Sequence, residues 1–420
     1  MDKRHHRDGE GAQQAGAIVD RRGALRRLGA AAIGCVAVAC ERKAPPATPP
    51  PAAAPVQAPP PPQPPQPSLT AADCRGTLIG MARMLEHDGS ERFAVVLVDL
   101  HDRPLKVRPI AIDFYGHGVA FDPTRPERAL VFEKHGPGCA EVDLRVGRMM
   151  TKVKTTEDRQ FYGHGVFSPD GTRLYCTETM VADGSRRGVV AIRDGRSLAL
   201  IGTLPSHGLA PHDMVLRPDG KALIITNGGG GPDGEAPNVA VVGIPDGELI
   251  ERLPFADPRV NAGHVALLPG GGLVTVSAPR DGLDVHDPTV HGDISFWRPS
   301  EGKSLRSPGG PEIAKMRAET LSVAVHGPSG QVVATNPDGN HLSFWGIADG
   351  KLRHVDRSFV KPRGVTLDLG GKCLAVSHGT VPALTLLDPA SHRALKDGVL
   401  DQAWFSGSHL FVHDLGPAKG

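Results

Sequence analysis

The sequence is poor in aromatic residues, in net charge and in long apolar runs. Only 4% of its 420 residues are aromatic, whereas 52 are glycine and 39 are proline, which favours many short strands over long helices. The formal net charge of +1 gives no reason to expect nucleic acid, because a phosphate-binding surface needs clustered lysine and arginine. Neither a Cys-x-x-Cys spacing nor a Gly-x-Ser-x-Gly elbow occurs, so thioredoxin-like, zinc-ribbon and serine-hydrolase sites have no support.

The first forty residues have the order of an export signal. A basic stretch beginning at Arg21 and Arg22 precedes an uncharged run that ends at Cys40 and is too short to span a bilayer. The paired arginines resemble a twin-arginine export signal, and Ala-Val-Ala-Cys at 37–40 resembles the lipobox of bacterial lipoproteins. The resemblance implies a periplasmic protein anchored to the membrane by lipidated Cys40. An uncleaved amphipathic or cytoplasmic tail is the alternative.

A second segment separates this signal from the folded part. Residues 44–68 are almost entirely Pro, Ala and Gln, which cannot bury a core and are typical of an extended polyproline tether. We therefore assign residues 1–40 to the signal peptide, 41–71 to a disordered tether and 72–420 to the folded domain.

The folded part repeats a pattern of paired strands. Seven hairpins, the first at Phe93 and the last at Leu384, alternate with seven further strand pairs. The apolar residues before the turns of these pairs recur every 38 to 58 residues, at Phe121, Phe167, Leu216, Leu267, Val325, Leu367 and Phe405. This period predicts four-stranded blades, and hence an all-β fold, a seven-bladed β-propeller.

The order of the half-repeats predicts how the ring closes. The chain opens with a lone outer hairpin at Phe93 and ends with a lone inner pair beginning at Ala403. We expect these two pieces to pair as N- and C-terminal strands of the last blade, which leaves no sheet edge exposed.

The blade motifs carry a family resemblance. The stretches GHGVAFDPTRPE from Gly116, FYGHGVFSPDGTRLYCTE from Phe161 and GHVALLPGGG from Gly263 resemble propellers of the YVTN (YncE-like) type. They resemble more closely the twin-arginine-exported domain-of-unknown-function family 1513. The resemblance covers Gly116 to Ser277, implies the propeller fold and export, and implies no activity. Members are often encoded near periplasmic iron-uptake components, which suggests metal handling and metal-uptake proteins as partners.

The propeller geometry predicts a ligand site at one rim of the central channel. Innermost strands line the channel, and each following strand ends on the face where the innermost strand began. The first set of candidates starts the inner strands, and the second lies 13 to 16 residues later. The predicted metal or ligand set is His117, His164, His207, His212, His264, Glu178 and Asn227, and further rim candidates are Asn336, Arg363 and His378.

Neutral imidazoles suit iron, copper or zinc, and carboxylates or amides can complete or orient the shell. We predict iron or copper, with calcium as the alternative for an oxygen-rich set. Counted back from the apolar residue, His117 and His212 are four positions away, but His164 and His264 are three. In a regular strand these registers point to opposite faces, so all four converge only in the loops entering the strands. A histidine there can instead be a structural fastener between blades.

Four cysteines remain after removal of the signal and lipidation of Cys40. Cys74 and Cys139 fall in blades that meet at the ring closure, and we favour them as a disulfide in an exported protein. Cys176 and Cys373 lie within strands of different blades and are interpreted as buried apolar residues.

Three functions stay open. The first is a non-catalytic, lipid-anchored protein that binds a metal ion or a metal-linked partner at the histidine-rich rim. The second is a lactonase-like hydrolase that uses Glu178, Asn227 and Asn336 around a divalent cation. The third is a protein-interaction scaffold with a purely structural rim.

Overall fold

The computed structural model describes residues 69–284 and 287–416. Within them the chain forms strands β1 to β27 and two three-residue 3-10 helices, Ala71–Asp73 and Ile313–Lys315, so the predicted all-β class is confirmed. No helix in this part of the chain is long and apolar enough to cross a membrane. The expected signal peptide, Cys40 and residues 41–68 of the expected tether lie outside the described residues. Leu69 already packs against the core, three residues before the expected domain start.

One four-stranded sheet joins the two ends of the folded part. Its order is β27-β1-β2-β3, with the bounds Leu410–His413, Thr77–Leu85, Glu91–Asp99 and Val107–Ile112. The C-terminal strand β27 pairs antiparallel with the N-terminal strand β1, which is the expected closure. The division differs from the expected one, because the N-terminal segment supplies three strands and the C-terminal segment only one. The first six residues of β1 are all buried, whereas Trp404, inside the expected C-terminal pair, has a φ of 63° that breaks an extended strand.

The next sheet has eight strands. Its order is β11-β10-β9-β8-β5-β6-β7, with β4 also paired to β5. The bounds are Gly116–Phe121 for β4, Arg128–Gly136 for β5, Gly138–Asp143 for β6, Arg148–Lys154 for β7, Arg159–Phe167 for β8, Arg173–Met180 for β9, Arg187–Asp194 for β10 and Leu200–Leu209 for β11.

Four sheets complete the ring. Strands β12 to β15 span Pro211–Leu216, Ala222–Asn227, Asn238–Gly243 and Leu249–Pro254, and the three-stranded sheet β16 to β18 spans Val265–Leu267, Leu273–Ser277 and Asp293–Trp297. Strands β19 to β22 span Ser322–His326, Gln331–Asn336, His341–Gly346 and Leu352–Asp356. Strands β23 to β26 span Val365–Leu367, Leu374–His378, Ala383–Leu387 and Ala394–Leu400.

The hydrogen bonding does not give seven equal four-stranded blades. The described residues form six sheets, of which five have four or more strands and one has three. Strand β5 runs past the end of β4 and pairs with β8, where Lys134 lies opposite Tyr162, and this pairing makes the eight-stranded sheet. The expected outer strand after β18 is reduced to isolated bridges such as Phe296 to Arg306. The architecture is an all-β propeller with unequal sheets.

The core lies between successive sheets. One cluster packs Leu78 and Val96 of the first sheet against Ala375 and Leu384 of the last, with Phe405 beside them. Another packs Phe296 of the three-stranded sheet against Trp345 of the next sheet. Each interface buries large apolar side chains, which stabilise the fold by about 1.5 to 3 kcal/mol apiece. The rigid ring of sheets fixes where each inner strand begins.

The predicted Cys74–Cys139 disulfide is wrong. Cys74 is bonded to Cys373, with a Cα–Cα distance of 6.1 Å, and the bond ties the segment before β1 to the segment before β24. Cys139 lies in β6, in a different cluster, where it is buried and unoxidised together with Cys176. Burial raises the pKa of the Cys139 thiol far above its usual range, so it stays protonated. The disulfide therefore does cross the ring closure, but with the other partner.

Candidate metal centre

Five buried histidines, each in or directly before a different strand, meet inside the ring. His117, His164 and His212 lie in β4, β8 and β12, His264 directly precedes β16, and His409 directly precedes β27. The nitrogen atoms of His117, His164, His264 and His409 all lie within 4.8 Å of one another, and we call these four residues the imidazole cluster. His212 lies beside them, with its ring centroid 4.5 Å from that of His264.

The spacing of the imidazole cluster fits a metal ion. The Nε2 atoms of His117 and His409 are 3.2 Å apart, and two imidazoles on a tetrahedral ion with bonds near 2.0 Å are separated by about 3.3 Å. The His264 and His409 rings cross at 82° with centroids 4.0 Å apart, so neither ring blocks the other's nitrogen by stacking. A central cavity of about 380 Å³ reaches His164, His264 and His409.

Second contacts fix the rings of two members. The Nδ1 atom of His264 lies 2.7 Å from the carbonyl oxygen of Leu321, so it donates its hydrogen there and leaves the lone pair on Nε2. The Nδ1 atom of His164 lies 3.1 Å from Oδ1 of Asp213. That carboxylate also accepts hydrogen bonds from the backbone N–H groups of Met214 and Val265. Such carboxylate and carbonyl contacts are typical of metal-binding histidines.

Three ring nitrogen atoms of these histidines have no partner within residues 69–284 and 287–416. They are the Nε2 atoms of His164, His212 and His264, each buried and without a hydrogen bond. Leaving a buried polar atom unsatisfied costs about 1 to 3 kcal/mol. A histidine that only fastens blades together needs its nitrogens bonded, so this pattern fits a bound group better than a structural fastener. His264 can serve both roles, because its Nδ1 contacts Leu321 of the neighbouring sheet while its Nε2 is left for a bound group.

The histidines are neutral in the metal-free protein. Burial lowers the pKa of His164 and of His264 to about 3. Burial, with added repulsion from the Lys134 ammonium, holds the pKa values of His117, His212 and His409 well below the usual range. At neutral pH all five therefore present lone pairs, which is the form that binds metal.

Local irregularities in the strands let the histidines converge despite their different registers. The β4–β5 pairing shifts between Gly116 and Gly118, and the β12–β13 pairing shifts between Pro211 and Met214. His117 and His212 lie in these shifts, and His164 lies in a shift of the β8–β9 pairing between Phe161 and Gly165. Extra residues at such shifts turn a side chain to a new direction. The expectation that all four histidines lie in the loops before the inner strands is confirmed for His264 only.

Two glycines make room for the rings. A Cβ atom on Gly118 would lie 2.3 Å from the carbonyl oxygen of Gly163 and 2.9 Å from Nδ1 of His164. A Cβ atom on Gly163, which has a φ of 107°, would lie 2.6 Å from Cδ2 of His117. The repeated Gly-His-Gly motif is therefore a packing device for neighbouring imidazoles.

The carboxylate predicted for the site has other partners. The two oxygens of Glu178 lie 3.1 Å from Arg193 and 3.1 Å from Arg159, and the side chain is fully buried. This ion pair sits inside the sheet that holds β8 to β10, so Glu178 balances two guanidinium groups there. His207 reaches the carbonyl of Gly247 through Nε2 at 2.9 Å and is not part of the imidazole cluster.

The predicted amide ligands and His378 make hydrogen bonds to other protein groups. Asn227 accepts from the Ser206 hydroxyl at 2.7 Å and donates to the Ser206 carbonyl. Asn336 accepts from the backbone N–H of Gly339 at 2.7 Å and donates to the Glu319 carbonyl. His378 contacts the hydroxyl of Thr385 at 2.8 Å. The polar atoms of these three side chains are used by neighbouring protein groups, so within the part of the chain that the structure describes they form no oxygen-rich calcium site.

Sequence reasoning missed His409 and Asp213. His409 directly precedes the apolar residues Leu410, Phe411 and Val412, as His164 precedes Gly165, Val166 and Phe167. Anchoring the last repeat on Val412 instead of Phe405 places His409 three positions before the anchor, the offset of His164 and His264. Asp213 follows His212 directly, and only the fold reveals that it contacts a histidine of another strand.

A solved structure has a similar fold. The structure is similar to hydrazine synthase from Kuenenia stuttgartiensis, with a TM-score of 0.58 and 15% identity, over 76% of this chain and 97% of that chain. A likeness at this identity shows the fold alone. No curated relative matches the chain.

A family model matches residues 110–406, a range that contains His117, His164, His212 and His264 and ends three residues before His409. Because the match covers more than half of the sequence, the chain belongs to the family described as protein of unknown function, DUF1513.

Proposed function

We propose that this chain is a non-catalytic propeller that binds one transition-metal ion through the imidazole cluster. One observation carries the proposal. Within the described residues the buried Nε2 atoms of His164 and His264 make no hydrogen bond, and one ring nitrogen from each of the four members of the imidazole cluster lies within 4.8 Å of the others. The Nδ1 contacts of His164 and His264 support the same view, because they leave Nε2 free to bind.

The donor set supports copper or iron over calcium. The four members of the imidazole cluster offer nitrogen, and the nearest carboxylate, Asp213, is engaged by His164 and two backbone N–H groups. Imidazole suits copper, iron, zinc and nickel, whereas calcium takes oxygen ligands. A bound ion would be held by Nε2 atoms, and the protein would position them and keep them neutral.

Metal analysis of the full chain, exported by its own route and purified without chelator, tests this function. We expect close to one equivalent of copper or iron per chain. The double variant His164→Ala and His264→Ala should lose it, while His378→Ala, a histidine bonded to Thr385 outside the cluster, should keep it. Less than about half an equivalent in the wild-type protein, or full retention in the folded double variant, overturns the proposal.

We infer seven blade units in the ring. Strands β4 to β7 and β8 to β11 each form an antiparallel group, and within the described residues the strand pairing between the two groups is confined to Lys134 and Gly136. Counted this way, β16 to β18 form the one group with three strands. An experimental structure with six or fewer repeating units around the axis would contradict this count.

We propose that the protein is exported by the twin-arginine route and anchored in the periplasm by lipidated Cys40. The order of basic, uncharged and small residues before Cys40 supports this. A membrane-anchored metal-binding domain would suit periplasmic metal-uptake proteins as partners. Mass spectrometry of the membrane fraction tests the anchor, because Cys40→Ser should release the protein into the soluble periplasmic fraction.

A further inference from the structure

We propose that the metal centre also binds a small anion on its rim side, where Lys134 and Arg363 lie beside the histidines. This inference rests on the proposed metal-binding function. The ligand class is a small monovalent or divalent anion, such as a carboxylate or an inorganic oxyanion, that binds the metal and the two cationic side chains together.

A shared backbone contact marks equivalent positions on the inner strands. The backbone N–H donates to a hydroxyl oxygen 13 residues later in four sheets, and we call the donor the cage position. The cage positions are His164, Asp213, Ser322 and Gly364. The last two supply no imidazole, and the hydroxyl of Ser322 accepts from the backbone N–H of Val365. The ring of nitrogen donors is therefore open toward β19 and β23.

Arg363 lies on this open side, one residue before the cage position Gly364. It directly precedes Gly364, as His212 directly precedes Asp213, so Arg363 and His212 occupy equivalent places on their sheets. Its side chain is half-buried. Among residues 69–284 and 287–416 its guanidinium makes no hydrogen bond or ion pair. A partly desolvated cation without a partner is a ready contact for an anion.

Lys134 lies between two histidine-bearing strands. Its neighbour Glu133 pairs with Gly116, next to His117, and Lys134 itself pairs with Tyr162, two residues before His164. The side chain is half-buried, and its ammonium has no hydrogen bond or ion pair within the described ranges. These two pairings bring Lys134 next to the strands that carry His117 and His164.

A small polar cavity opens at this rim. It measures about 40 Å³ and is lined by His212, Tyr162, Arg186 and Asp281. That volume exceeds the roughly 10 to 15 Å³ that one water molecule needs. Nε2 of His212 is buried and unpartnered at this cavity. Arg186 is already held by Asp281 at 3.0 Å and by the Tyr162 hydroxyl at 3.2 Å. Lys134 does not line this cavity, but its backbone pairs with that of the lining residue Tyr162.

The charges around the rim favour an anion. The carboxylate of Glu319 lies near both Lys134 and Arg363, and burial raises its pKa. Asp281 lies near Lys134 and Asp338 lies near Glu319, so carboxylates balance the cations of the rim. The neutral imidazoles, however, would leave the charge of a bound metal uncompensated. A cation held so close to a metal site opposes metal binding unless an anion lies between them.

The variant Lys134→Met should change the affinities for metal and for anion in opposite directions. Removing the ammonium should raise the affinity of the protein for Cu²⁺, because a repulsive charge is lost. It should lower the affinity of the copper-loaded protein for an anion by about fivefold or more, because an attractive charge is lost. Arg363→Met should also weaken anion binding. A purely structural role for Lys134 would weaken both or neither.

The experiment uses the full chain loaded with Cu²⁺, with copper stoichiometry measured first and azide then titrated against its charge-transfer absorption. We expect one azide per copper, tighter copper and weaker azide in Lys134→Met, weaker azide in Arg363→Met, and no change in Lys351→Met, an exposed lysine in the β21–β22 turn. Stoichiometric copper without azide binding overturns this inference and leaves the proposed function intact. Unchanged azide affinity in both folded variants also overturns it, and absence of copper binding overturns the proposed function itself.

Discussion

Two regions of the ring share one backbone contact but carry different side chains at it. The first region is the inner strands β8 and β12, and the second is the inner strands β19 and β23. In both regions the cage position donates its N–H to a hydroxyl 13 residues later. In the first region these positions carry His164 and Asp213, and in the second they carry Ser322 and Gly364. The backbone repeat therefore fixes where a side chain is placed, and the residue identity alone decides whether that place contributes to the site.

Breaking the packing in the histidine region should give the largest effect. Gly163→Ala places a Cβ 2.6 Å from the His117 ring at a φ of 107°, so the backbone or the ring must move. We expect a loss of about 2 to 4 kcal/mol in the free energy of unfolding, measured by urea denaturation, and loss of metal in elemental analysis. Gly327→Ala, whose Cβ would meet no atom within 4 Å, is the control in the β19 region and should leave both unchanged. Equal behaviour of the two variants would contradict the packing role.

The second prediction concerns the metal affinity after a charge is removed at one cage position. Asp213→Asn keeps the shape of the side chain but loses the negative charge beside His164. We expect metal affinity to fall about 10- to 100-fold, measured by competition with a chelator of known affinity. Ser322→Ala changes the equivalent position in the other region, where the hydroxyl only accepts from Val365. It should reduce stability slightly and leave metal affinity within about twofold. A similar loss of affinity in both would mean that cage positions act only through the fold.

The third prediction concerns the pH dependence of stability in the metal-free protein. Burial lowers the pKa of His164 and His264 to about 3, below the value near 6.5 of an exposed histidine. The unfolded chain therefore binds more protons between these values, so stability is full above about pH 6.5 and falls as the pH drops toward 3. Each buried histidine adds up to about 1.4 kcal/mol per pH unit to this slope.

Urea denaturation of the metal-free protein at pH 7 and pH 4.5 measures this slope. The double variant His164→Gln and His264→Gln should lose less stability between the two pH values than the wild type, while His87→Gln at an exposed position should match the wild type. An identical pH dependence in the double variant would show that these histidines are not held neutral by burial.

The sequence predicted much of the site because its signals are periodic. His117, His164 and His264 start inner strands at nearly constant offsets from an apolar residue, and the predicted set contains three of the four cluster members. It also predicted that the chain ends pair in one sheet, as β1 and β27 do. It failed at Cys373, whose contact with Cys74 spans 299 residues and leaves no local trace. It failed also at Glu178 and Asn227, since position in a strand does not show which partners use a side chain's polar atoms.

Local sequence patterns predicted an all-β chain of repeated strand pairs with a histidine near the start of several inner strands, because alternation and turn chemistry act over a few residues. The folded ring was needed to show that His409 completes the cluster and that Asp213 contacts His164. It was also needed to show that Glu178 is held between two arginines. These outcomes depend on contacts between sheets far apart in the chain, and such contacts are set by how the ring closes and where its strands bulge.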